Sequence, residues 1–102
     1  MELVTEIYRL TKDFPKEEVF GLASQLRRAA VTVPSNIAEG AARAGRKEFV
    51  QFLSVARGSL AEIETQLLIA EQLGYVKQGV LKDRLEGLFR LIAGLMRRLR
   101  EE

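Results

Sequence analysis

The chain has 102 residues, 47% apolar and 29% charged, with a net charge of +2. That size and balance suit one folded domain with a modest core and speak against disorder. Cysteine and histidine are both absent, which removes disulfides, thiolate nucleophiles, imidazole bases and the usual zinc ligands, and fits a reducing cytoplasm.

No apolar run approaches the roughly 20 residues needed to span a bilayer. The opening MELVTEIYRL has two early acids and no basic region, so no signal peptide is expected. The expected protein is cytoplasmic and has no membrane partner.

The first helix is expected over Glu2 to Asp13, where Leu3, Ile7, Leu10 and Phe14 form one stripe. Phe14-Pro15 ends it, because a proline pushes its predecessor out of helical geometry. The second helix is expected to start near Lys16 to Glu18, with acids at its positive end. Val19, Leu22, Leu26, Ala29 or Ala30, Val33 and Ile37 line its face. Pro34 falls inside that pattern, lacks an N–H and clashes with the preceding turn. We read one helix kinked at Pro34 and ending near Gly40 to Ala42. The competing reading is two short helices, with Ser35 or Asn36 as an N-cap.

The third helix follows the connection Ala41 to Gly45. Phe49, Leu53, Ala56, Leu60, Ile63, Leu67 and Ala70 alternate four and three without a slip, the seam of a bundle helix. Gly74 is its expected C-terminal cap. The fourth helix is expected from Gln78 to Arg100, along Leu81, Leu85, Leu88, Ile92, Leu95 and Leu99. Nothing alternates with a period of two. The fold class is therefore all-α, an antiparallel up-down four-helix bundle forming one domain over residues 1–102. The first helix is about half as long as the others, which leaves apolar surface for oligomerisation, or for residues preceding Met1, to cover.

Catalytic chemistry finds little footing. A bundle metal site of the Glu-x-x-His type cannot be built without histidine. Glu62 and Glu64 point to different faces, and Glu39 completes only a weak case for a metal-dependent enzyme. Ser24, Ser54 and Ser59 have no base to activate them. No enzyme activity, cofactor or metal is expected.

The site candidate is basic. Between Ser24 and Gly58 lie Arg27, Arg28, Arg43, Arg46, Lys47 and Arg57 against Glu39 and Glu48, about +4 in all. Guanidinium forks suit phosphate, and the N-terminus of the third helix favours anions. The alternative is a solvated surface paired with Glu39, Glu48 and Glu62. Ser35 and Asn36 either face a ligand or satisfy backbone groups around Pro34. Gly40 is expected to relax a helix end and Gly58 to admit another helix closely. Tyr8 and Tyr75 are the only tyrosines and tryptophan is absent, so phosphate contact rather than base stacking is the expected mode. Phe52, Phe89, Leu91 and Met96 lie off the seams. They motivate the alternative of a protein-interaction scaffold with no nucleic-acid role, or a subunit interface.

The residues Leu26-Arg27-Arg28-Ala29, Val33-Pro34-Ser35-Asn36-Ile37-Ala38-Glu39-Gly40, Gly58-Ser59-Leu60 and Glu64-Thr65-Gln66-Leu67 carry a resemblance. The segment from Glu6 to Val76 resembles the bacterial 23S rRNA-intervening-sequence proteins. That resemblance implies an antiparallel four-helix bundle assembled as a homo-oligomeric ring, a pentamer. It also implies kinship with the basic accessory protein of diversity-generating retroelements, hence RNA or DNA and a reverse-transcriptase-like protein as partners. Arg27, Arg28, Arg43, Arg46 and Lys47, with Pro34, Ser35, Asn36, Glu39 and Gly40, fall in the family's most characteristic region. Members usually carry further N-terminal residues with an aromatic segment, whereas this chain begins inside the first helix.

Overall fold

The computed structural model describes residues 2–101, and all regular structure among them is helical. Four α-helices follow in order: α1 (Glu2–Thr11), α2 (Leu22–Ala42), α3 (Arg46–Gln72) and α4 (Lys82–Glu101). A single 3₁₀ turn, Lys16–Glu18, lies between α1 and α2. At 1.5 Å per residue, α3 is about 40 Å long and runs most of the molecule's 46 Å length. α1, with 10 residues, covers only about 15 Å of it.

The seam of α3 is the spine of the core. Leu53, Ala56, Leu60, Ile63, Leu67 and Ala70 are all buried, as a strict four-three alternation requires of a helix flanked on two sides. α2 contributes Leu26, Ala29, Ala30 and Val33, and α1 contributes Leu3 and Ile7. α2 and α3 run antiparallel: Gln25 meets Gln66 near one end, and Gly40 meets Phe49 and Phe52 near the other. α3 ends as the sequence suggests. Gly74 takes φ +79, while the Tyr75 and Gly74 N–H groups donate to Ala70 and Glu71 carbonyls at 2.9 and 3.0 Å. These two bonds form a Schellman cap.

The structure corrects several boundaries. α1 stops at Thr11 rather than Asp13. Lys16–Glu18 does not open α2, which starts at Leu22 behind Gly21. The Glu18 carboxylate accounts for this: one oxygen accepts the Leu22 N–H at 3.1 Å and the other the Tyr75 hydroxyl at 3.1 Å. Glu18 therefore caps α2 from a separate turn. Val19, expected on the inner face, is exposed.

α2 runs unbroken through Pro34, so the reading of two short helices fails. Ser35 and Asn36 are not caps. Ser35 Oγ donates to the Val31 carbonyl at 2.8 Å and Asn36 Nδ2 to the Thr32 carbonyl at 2.9 Å. Both bonds turn back by one turn of the same helix, around the proline that lacks a donor.

α4 begins at Lys82 rather than Gln78, because Gly79 and Leu81 adopt φ +73 and +60, outside helical geometry. Met96, read as off the seam, is core, whereas Leu88, Leu95 and Leu99 are only partly covered. Gly40 does not loosen a helix end; it is buried where a Cβ would lie 2.8 Å from Phe52 Cβ. Gly58, expected at a close helix approach, has no atom within 4 Å of an added Cβ.

Candidate functional site

The six candidate cations fall on different faces. Arg27 projects from α2 toward α1, where its Nε donates to Thr11 Oγ1 at 2.8 Å. Its guanidinium also lies 5.0 Å from the centroid of the Tyr8 ring. Thr11, only 3% exposed, donates its own hydroxyl hydrogen bond to the Ile7 carbonyl at 2.7 Å. Arg27 is thus a strut between α1 and α2, and a ligand would have to draw it away from both partners.

Arg28, the next residue, points outward. Arg57 lies elsewhere. Its heptad successors on α3, Glu64 and Glu71, line a cleft of about 290 Å³ toward α4, so helical periodicity sets Arg57 on the α4 side.

Arg43, Arg46 and Lys47 do come together in sequence and space, at the turn from α2 into α3. All three are exposed. α3 begins behind Gly45, which has no side chain to cap the positive end of the helix. Arg43 is partly engaged: it pairs with Glu39 at 2.8 Å and lies 5.4 Å from the centroid of Phe52. Both partners of that ion pair are about half exposed, so it is weak and salt-screened. Glu48 in the same first turn offsets part of the positive field. Among the described residues, Arg28, Lys47 and Arg57 show no side-chain ion pair or hydrogen bond.

Of the smaller candidates, Pro34, Ser35 and Asn36 are absorbed into α2, Glu39 holds Arg43, and Gly40 seats the phenylalanines of α3. Among the described residues no three acidic side chains gather as a metal centre needs, and no helix is long and apolar enough to cross a membrane.

The sequence reading missed a second surface. Phe20, two residues past the 3₁₀ turn, is 96% exposed. With Tyr8, Val19 and Val31 it borders a shallow depression whose only charged lining residues are Arg27 and Arg28. The available signal was negative: Phe20 belongs to no helical stripe, yet no turn chemistry demands an aromatic there. Of the residues expected off the seams, Met96 is core, Phe52 and Phe89 are partly covered, and Leu91 is exposed.

A small helical bundle with cations gathered at one inter-helix turn is the class that fold and site define. The sequence profile of the 23S rRNA-intervening sequence proteins matches residues 1–97, and the chain belongs to that family. No curated protein matches it significantly.

Proposed function

We propose that this protein is a non-enzymatic, homo-oligomeric nucleic-acid-binding protein that contacts RNA or DNA through phosphate groups. One observation carries the reading: Arg43, Arg46 and Lys47 stand exposed together around the start of α3. Guanidinium forks and the positive end of a helix both favour phosphate oxygens. A ring of copies, of the pentameric size the resemblance implies, multiplies a weak contact through avidity. Arg28 and Arg57 lie apart from this turn and contribute little to the contact.

The test is binding of the purified protein to structured RNA and to duplex DNA across a salt series. Log affinity should fall linearly with log salt, with a slope of about −0.9 per phosphate neutralised on duplex DNA. Replacing Arg43, Arg46 and Lys47 with alanine should weaken binding and flatten that slope. An unchanged slope in the triple variant moves the contact elsewhere, and no binding at low salt removes the reading.

A further inference from the structure

α3 carries two seams. The inner one is the core. On an outer flank, by helical periodicity, Val55, Gly58, Glu62 and Ile69 recur at three, four and seven residues, and Leu73 follows four residues on at the C-cap. All five are exposed, and Val55, Ile69 and Leu73 are each about half open to solvent. Glycine at position 58 costs about 1 kcal/mol of helix propensity, yet no neighbour in the chain uses the space it leaves. This is the pattern of a helix prepared for a partner on its outer side.

The surface around Phe20 is its complement. It is apolar at Val19, Phe20 and Val31 and cationic at Arg28, whereas the outer seam of α3 is apolar and carries Glu62. The Gln25–Gln66 contact sets the first half of α2 beside the second half of α3. The two surfaces therefore sit on adjacent helices at one height of the bundle, both facing outward, and cannot close on each other within one chain. Pairing either surface with its own copy would gather charge of one sign in the interface, the arginines of two copies or two Glu62, which like-charge repulsion disfavours.

We propose that the Phe20–Arg28 surface of one copy docks on the outer seam of α3 of the next, with Phe20 entering the hollow at Gly58 and Arg28 facing Glu62. The inference rests on the homo-oligomeric part of the proposed function and adds which surfaces build the assembly. Such a contact is head-to-tail, and repetition closes a ring when the rotation per step divides a full turn.

The test uses light-scattering mass of the full chain, with circular dichroism to verify that each variant is folded. Phe20→Glu and Ile69→Glu alter exposed side chains, and each should reduce the wild-type oligomer to a single chain. Mixed in equal amounts they retain one intact interface, between the good outer seam of Phe20→Glu and the good Phe20 surface of Ile69→Glu. The mixture should therefore run at twice the mass of one chain and grow no further. Arg28→Glu should dissociate the oligomer, and adding Glu62→Arg to the same chain should restore it.

Wild-type protein that is monomeric at its highest soluble concentration removes the assembly itself. An oligomeric wild type whose two single variants keep full mass overturns only the choice of surfaces. A mixture that stays monomeric overturns the head-to-tail arrangement. Phe20→Glu that keeps its mass but loses RNA binding reassigns the surface to nucleic acid.

Discussion

Gly40 and Gly87 separate backbone propensity from packing. Both lie within helices and neither has a positive φ. Alanine at either site gains up to about 1 kcal/mol from helix propensity and reduced unfolded-state entropy. At Gly87 the new Cβ meets nothing within 4 Å, so the gain survives and Tm should rise by roughly 4–8 °C.

At Gly40 the same Cβ falls 2.8 Å from Phe52 Cβ and 2.9 Å from Phe49 Cδ1, about 1 Å inside ordinary carbon contact. Phe52 Cβ is tied to the α3 backbone and cannot swing aside, so α2 and α3 must part. Overpacking of this kind costs about 1–3 kcal/mol. Gly40→Ala should thus range from neutral to a loss of about 2 kcal/mol once propensity is credited. The gap between the two variants is the overpacking cost alone, roughly 5–20 °C in Tm. Thermal and urea unfolding by circular dichroism, at one fixed protein concentration because assembly shifts Tm, reads it out. A Gly40→Ala protein stabilised as much as Gly87→Ala would refute the close approach of the two helices.

Two further expectations follow from the ends of the bundle. Arg27→Ala removes the bond to Thr11 and the contact with Tyr8, and should cost about 1 kcal/mol in urea unfolding. Arg28→Ala should cost nothing detectable when both variants are compared at a protein concentration low enough to keep the chain monomeric; equal losses would show that Arg27 is no strut. The Tyr75 hydroxyl is held above the usual tyrosine range, first by desolvation, then by its hydrogen bond to Glu18 and the charges of Glu18 and Glu17. A raised folded value favours the neutral phenol, so its contribution is complete below the unfolded value near 10 and is lost as pH rises through the folded value. Tm of the wild type should therefore fall more steeply than that of Tyr75→Phe above pH 10; parallel curves would remove the link to Glu18.

The sequence displayed α3 almost completely, because a helix packed on two sides must keep one apolar stripe in register throughout. α4 was harder to read. α1 reaches only part of the bundle, so Leu95 and Leu99 stay half covered while Met96 turns into the core. The start of α2 was misplaced because its cap is a carboxylate in a separate turn, held by Tyr75 from 57 residues away. No local pattern encodes such a partnership. The same holds for the site. The count of arginines was visible, but Arg27 is taken by Thr11 and Tyr8 across 16 residues or more, and only the folded chain shows it. Pro34 was visible as a breaker, yet the surrounding packing overrides it, with Val33 fully buried beside it.

The way α1 is fastened has a consequence for motion. It buries only Leu3, Ile7 and Thr11, and its polar ties are Arg27 at one end and Arg84 at the other. Arg84 bonds Glu6 at 2.6 Å and Glu2 at 2.7 Å, in partly exposed pairs. The α2–α3 hairpin joins chain neighbours across a three-residue turn; α1 packs mainly on α2, and its tie to Arg84 spans 78 residues. Loop closure of that span comes late in folding, and its reversal comes early in opening. α1 therefore acts as a hinged latch on a stiffer hairpin, and amide exchange in α1 should outrun exchange along the Leu53–Leu67 spine. Each opening bares the inner faces of α2 and α4 along the latch while leaving the basic α2–α3 turn intact.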